Sequence, residues 1–214
     1  MGSRRSFQPQ SRALCPLPFV KLVFLFTGLV FSGAGTGAVS APDRALFAAV
    51  EAGDVLFLEA DGLWGDLARS FSDPGSPYGH VIVVVSVAAR RIEVIDAGGP
   101  LPAQGAGVGR RSLDRALKGG RAVTVYRPDL TPQERQRFLA ALLAKEGLPF
   151  DRAFSLETEG ALYCTELVWR ALSEALGADA VPDKTDFAGE IAITLSDLAE
   201  APVLQKGVRY ALSP

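Results

Sequence analysis

The sequence predicts an α+β domain with a mostly antiparallel sheet packed against helices, and three observations carry that expectation. Runs rich in apolar and β-branched residues, each of strand length, recur at 55–58, 81–85, 92–95 and 122–126. Two strand segments, 78–85 and 92–97, flank a tight turn at Val87-Ala88-Ala89-Arg90, which makes them an antiparallel pair. The strongest helical periodicities follow these strands, so the elements run helix, strands, helix, helix.

The first forty residues stand apart. Arg4, Arg5 and Arg12 precede an apolar run from Leu22 to Phe31, broken only by Thr27 and Gly28. Small residues then lead to Val39-Ser40-Ala41 before Pro42. A basic start, an apolar middle and a small-residue cleavage site read as a secretory signal peptide over residues 1–41. The mature domain is then 42–214, exported to the periplasm or beyond. Ser3-Arg4-Arg5-Ser6-Phe7 also resembles a twin-arginine signal. The competing reading is an uncleaved membrane anchor, and the short apolar run argues against it.

Cleavage removes Arg4, Arg5, Arg12 and Lys21 and no acids, which takes the formal charge from −2 down by four to −6. An acidic domain offers nucleic acid no basic stripe, so that partner is excluded. Cys15 leaves with the signal. It stands before the apolar run, unlike a lipoprotein acylation cysteine. The mature chain keeps one cysteine, Cys164, and one histidine, His80. That rules out an intramolecular disulfide and a Cys/His zinc cluster, and no metal or other cofactor is expected. A free thiol in an exported protein is open to oxidation, so its presence needs a reason: catalysis or burial.

Residues 42–52 read as a short helix with Leu46, Phe47 and Val50 on one side, turned by Gly53-Asp54 into the strand at 55–58. A brief helix follows over 62–71, then a loop over 72–77. Tyr78-Gly79-His80 lead a strand apolar enough to be buried on both faces. Residues 98–111 hold five glycines and two prolines, so an irregular loop over a site is expected there. Ser112 caps a short helix over 113–117, and Gly119-Gly120 turn into a strand over 122–127. Thr131-Pro132-Gln133-Glu134 is a capping box with proline at the first helical position. Its helix runs to about Lys145 and buries Phe138, Leu139, Leu142 and Leu143. The tail reads as a loop over 183–189, a turn capped by Ser196 and a last strand over 208–212.

The helix opened by Cys164 organises the rest. Leu167, Val168, Ala171, Leu172, Ala175 and Leu176 share one face, and Gly177 supplies the stop. Cys164 therefore sits in the first turn, where unpaired N–H groups and the helix dipole stabilise a thiolate. Taken singly, Cys164 is a small core hydrophobe, His80 a satisfied strand-start histidine and Asp96 a strand-ending turn residue. The hairpin joins the last two. A turn centred on Ala88 pairs residues whose numbers sum to 176, which sets His80 opposite Asp96 on one face. A two-residue loop would shift the register by one and separate them. A carboxylate on one imidazole nitrogen leaves the other to take the thiol proton, and with one thiol at a helix start the catalytic reading is preferred.

Four blocks carry a resemblance: Gly53-Asp54-Val55-Leu56-Phe57, the strand from His80, Val94-Ile95-Asp96-Ala97, and Tyr163-Cys164-Thr165-Glu166-Leu167-Val168. In that order they resemble the circularly permuted papain-like hydrolases of YiiX/YebB type, relatives of the NlpC-type cell-wall peptidases. Gly147-Leu148-Pro149-Phe150-Asp151 is similar to that family's Gly-x-Pro-Tyr-Asp stretch. The resemblance implies a permuted papain-like fold with Cys164 as nucleophile, His80 as base and Asp96 as third member. The family often carries glutamate at the Asp96 position, so the shorter side chain needs close strands or a water to reach His80. Phe150 replaces a tyrosine, and Ile82 and Val83 stand around the usual glycine after the histidine.

The expected chemistry is thioester hydrolysis, with the Cys164 N–H as one oxyanion donor. Tyr163 and Tyr78 are candidates for a second donor, each with simple aromatic packing as the alternative. Glu166 matches the motif without a derivable role, and Trp169 reads as core. The leading function is an exported cysteine amidase or peptidase acting on peptidoglycan stem peptides. A lipid-directed acyl hydrolase or acyltransferase would use the same thioester, and a catalytically silent binding domain would keep the fold. The partner expected is a small peptide, cell-wall or lipid amide or ester, met by a monomer.

Overall fold

The structure, a computed structural model, describes residues 41–60, 75–89, 91–98, 107–187 and 189–213. The predicted signal segment to residue 40, the helix expected over 62–71 and residues 99–106 of the glycine-rich stretch lie outside the described residues. Among those described, no helix is long and apolar enough to cross a membrane.

The strands are β1 (Val55–Ala60), β2 (His80–Ala88), β3 (Arg91–Gly98), β4 (Gly107–Ser112), β5 (Gly120–Pro128) and β8 (Leu204–Ala211), in the order β4-β3-β2-β1-β5-β8. Every neighbouring pair is antiparallel. The helices are α1 (Ala41–Ala49), α2 (Leu113–Leu117), α3 (Pro132–Leu143), α4 (Cys164–Leu176) and α5 (Leu195–Ala199).

Strand alternation divides the core in two. Val55, Phe57, Val81, Val83, Ile95 and Ala97 share a cluster with Phe138 and Leu142 of α3 and with Leu167, Val168, Ala171 and Leu172 of α4. Leu56, Leu58, Ile82, Val84, Ile92 and Val94 pack instead with Leu46 of α1 and Leu113 and Leu117 of α2. Both faces of the sheet are covered, which is why β1 and β2 read as unbroken apolar runs. Each fully buried leucine in these stripes contributes about 1.5–3 kcal/mol.

The local signals behave as their chemistry requires, with some differences. Thr131 and Glu134 form the expected reciprocal cap on α3, with Pro132 in its first turn. The buried stripe of α3 is narrower than expected, so Leu143 is exposed. Gly177 closes α4 at φ +68. Ser112 stands at the start of α2 without a side-chain cap bond. Thr194, not Ser196, caps α5, because its side chain accepts the Asp197 N–H while Asp197 accepts the Thr194 N–H. The tail expected as loop over 183–189 contains half of a small hairpin, β6 (Thr185–Phe187) with β7 (Glu190–Ala192).

The glycine-rich stretch was expected to be irregular throughout, yet Gly107–Ser112 is strand β4. Small residues leave room for close backbone approach, and pairing with β3 satisfies the chain from Gly107 to Ser112. The Gly53-Asp54 pair is a structural latch. Asp54 is fully buried, and its two oxygens accept from Arg127 Nε and Nη2 at 2.8 Å each, with the Glu51 N–H also at 2.8 Å.

Candidate active site

The strands that carry His80 and Asp96 pair, but not in the expected register. Ala88 faces Arg91, so the connecting loop has two residues, and near the turn partner numbers sum to 179. That odd sum alone would put His80 and Asp96 on opposite faces. A bulge between Val84 and Ser86 then absorbs one residue. Beyond it Val84 faces Val94 and Val83 faces Ile95, a sum of 178. The even sum returns His80 and Asp96 to the same face as diagonal rather than directly opposed neighbours. Across that diagonal His80 Nε2 lies 2.9 Å from Asp96 Oδ2, a direct contact that needs no water. The bulge is thus what lets an aspartate reach the imidazole.

Cys164 is the first residue of α4 and is half-buried. Its thiol acts on the His80 ring, raising the imidazole pKa. Since Nε2 is committed to Asp96, the nitrogen left for sulfur is Nδ1. Carboxylate and thiol therefore both act on one imidazole. Burial pulls the His80 imidazole down, but the hydrogen bonds to Asp96 and Cys164 and the charges of both outweigh it and raise it from 6.5 to about 10. Asp96 is almost wholly buried, 3% exposed.

This has a pH consequence whose sign is fixed. Folded His80 keeps its proton up to about pH 10, whereas in the unfolded chain it loses it near 6.5. The resulting stabilisation is complete below 6.5 and is lost as pH rises through 10. Melting temperatures at pH 6 and pH 9.5 are expected to fall further in the wild type than in His80→Gln. Parallel losses in the two proteins would contradict the raised imidazole.

The start of α4 is held from two directions. Tyr163 Oη accepts the Ile193 N–H at 2.9 Å, and Thr165 Oγ1 donates to the Ile193 carbonyl at 2.5 Å. The two residues flanking Cys164 therefore grip one residue of the chain that follows β7. From the other side, the Val108 N–H donates to Leu148 O at 2.8 Å, and the Gly147 N–H donates to Val108 O at 2.9 Å. Pro149 O then accepts from Leu162, and the Asp151 N–H donates back to Leu162 O. The Gly-x-Pro-Phe-Asp motif is thus a spacer between the start of β4 and the residue two before Cys164. The Asp151 carboxylate accepts the Ala153 and Ser155 N–H groups, and Phe154, at φ +54, packs between Phe150 and Tyr163.

The remaining residues singled out from the sequence have other engagements. Tyr78 is buried in the core against Phe57, with its hydroxyl 3.1 Å from that of Tyr126, so it is not brought to the thiol as an oxyanion donor. The Tyr163 hydroxyl is likewise occupied at Ile193, and burial raises its pKa. Glu166 acquires a role that its motif did not reveal. Fully buried in the first turn of α4, it accepts Arg170 Nε at 2.8 Å, and Arg170 Nη2 reaches Leu156 O at 2.9 Å. Burial pushes the Glu166 carboxyl up to about 6, against the pull of Arg170. Glu166 thereby ties the loop after Asp151 to the helix. Trp169 is only partly buried, and its Nε1–H donates to Asp179 at 2.7 Å.

One residue of the site was missed. Arg111 Nη2 lies 2.7 Å from Asp96 Oδ1. A sequence read as irregular over 98–111 hides it, since only the β4 register, with Val94 opposite Arg111, brings it beside Asp96. No alternation of residue type in Gly107-Val108-Gly109-Arg110-Arg111 marks the strand.

Among the described residues no group of three or more His, Cys, Asp or Glu side chains is placed to hold a metal ion. No curated protein matches the chain by sequence. A solved structure described as metalloprotein yiiX from Escherichia coli O157:H7 aligns with a TM-score of 0.61, covering 76% of this chain and 98% of that one. At 20% identity that likeness concerns the fold alone. The family model for permuted papain-like amidase enzymes, YaeF/YiiX, matches residues 49–193, which take in His80, Asp96, Arg111 and Cys164. The chain belongs to that permuted papain-like amidase family, and it is a cysteine hydrolase with a mostly antiparallel α+β fold.

Proposed function

We propose that the protein is an exported cysteine amidase or peptidase acting on cell-wall peptides, with Cys164, His80 and Asp96 as its triad. The observation that carries this reading is the single imidazole bound through Nε2 to a buried carboxylate while its ring meets the thiol at a helix start. At rest His80 holds the proton taken from Cys164, and the thiolate sulfur attacks the amide carbonyl carbon. The Cys164 N–H, one of the unpaired donors of the first helical turn, faces the developing oxyanion. His80 then gives its proton to the leaving amine as the C–N bond breaks, leaving a thioester. Water, deprotonated by His80, attacks that thioester and releases the acid and the thiol.

The test is a panel of muropeptides and acyl esters offered to the wild type and to Cys164→Ala. Peptide cleavage that disappears in Cys164→Ala is the expected result. Acyl-ester cleavage alone would replace peptides with acyl lipids, and no cleavage together with a Cys164 inert to thiol probes would leave a binding domain. For export, the intact mass of protein from the extracytoplasmic fraction should correspond to a chain beginning near Pro42. An unprocessed chain held in the membrane would contradict it.

A further inference from the structure

We propose that Arg111 is a positioning residue of this site, acting through Asp96 on the His80–Cys164 pair; the inference rests on the triad reading above. Asp96 Oδ2 is committed to His80, while Oδ1 is buried and has no well-aligned hydrogen bond. What faces Oδ1 is the Arg111 guanidinium at 2.7 Å, on a side chain only 18% exposed. A carboxylate this buried is costly to keep ionised without a paired cation, and a guanidinium stays charged at any working pH. The Arg111 charge beside one oxygen also favours the orientation that turns the other toward His80. With Oδ1 held on the Arg111 side, Oδ2 is turned to Nε2, and Nδ1 is left for sulfur.

The next residue supplies an internal comparison. Arg110 is 46% exposed and pairs with Glu146 at 3.0 Å, latching the edge of β4 without touching Asp96. Two adjacent arginines on one strand thus do different things, because alternation points them to opposite faces.

Arg111 also shares the charge of Asp96. The groups facing His80 are Asp96 from β3, Cys164 from α4 and, through Asp96, Arg111 from β4. A cation on the far oxygen weakens the pull of the carboxylate on an imidazolium. His80 must lose its proton to activate water in the second half of the reaction, so Arg111 keeps it from becoming too basic.

The chain has a single histidine, so the imidazole signals in a 15N-histidine NMR titration belong to His80. With Cys164→Ala as background, the thiol does not titrate in the same window. Arg111→Gln is expected to move the His80 titration upward by roughly one unit, Arg111→Lys to return it part of the way, and Arg110→Gln to leave it in place. In the active chain, Arg111→Gln should lower kcat about tenfold with little change in KM, and Arg111→Lys should recover part of that loss. A His80 titration that stays put or falls in a folded Arg111→Gln, or one that moves equally in Arg110→Gln, would overturn the proposal. The titration needs no substrate, so it is read separately from any failure of Cys164→Ala to abolish turnover.

Discussion

Asp96→Asn is expected to lower turnover by roughly 10⁴-fold, the loss found when the carboxylate of a Ser-His-Asp triad is replaced by an amide. The asparagine keeps size and polarity but loses the charge that stabilises an imidazolium at 2.9 Å. Its amide can also present N–H to Nε2 and hold the ring in the wrong tautomer. Arg111 loses its partner at the same time, so a cost of about 1–3 kcal/mol in stability accompanies the loss of rate. Asp96→Glu keeps the charge but adds a methylene to a buried space between Arg111 and His80, so it should fall between wild type and Asn. Turnover on any substrate that the wild type cleaves, with thermal melts as control, decides the matter. Wild-type turnover in Asp96→Asn beside an inactive His80→Ala would reduce the triad to a dyad.

Gly107→Ala is expected to be the most damaging single-methyl substitution near the site. Gly107 has φ +119, and an added Cβ would lie 2.4 Å from the Leu148 carbonyl oxygen and 3.2 Å from Pro149 Cα. Both are backbone atoms and cannot swing aside. The disfavoured φ alone costs about 1–2 kcal/mol. Relief of the clash also breaks the paired bonds between Val108 and the Gly147-Leu148 turn, about 1 kcal/mol each. A loss of roughly 3–4 kcal/mol lowers Tm by about 6–16 °C for a domain of this size. Activity should fall as well, because that turn spaces β4 from Leu162 and Cys164. Gly109→Ala is the control: its Cβ meets nothing within 4 Å, and its melting temperature should stay near wild type.

Much of this was legible before the structure. The α4 stripe, the Thr131–Glu134 box and the unbroken apolar strands gave the elements, because each rests on chemistry local to a few residues. The pairing of His80 with Asp96 was legible only in outcome. The register that suggested it does not occur, and a two-residue loop plus a bulge at Val85 restore the parity that the loop removes. Nothing in the sequence of β2 announces a bulge, since it depends on what both faces of the sheet bury. Arg111 stayed hidden for a related reason: its place beside Asp96 exists only once β4 pairs with β3. Tyr78 shows the converse, a motif neighbour whose hydroxyl a partner distant in sequence, Tyr126, had already taken.

The most direct test of the central claim is the rate at which iodoacetamide alkylates Cys164 at pH 7, read by mass spectrometry of its peptide in the wild type and in His80→Ala. If His80 takes the thiol proton through the nitrogen that Asp96 leaves free, removing the imidazole should slow alkylation roughly tenfold or more, with the fold intact by melting. Equal rates in the two proteins would contradict the account, since Cys164 would then owe nothing to His80.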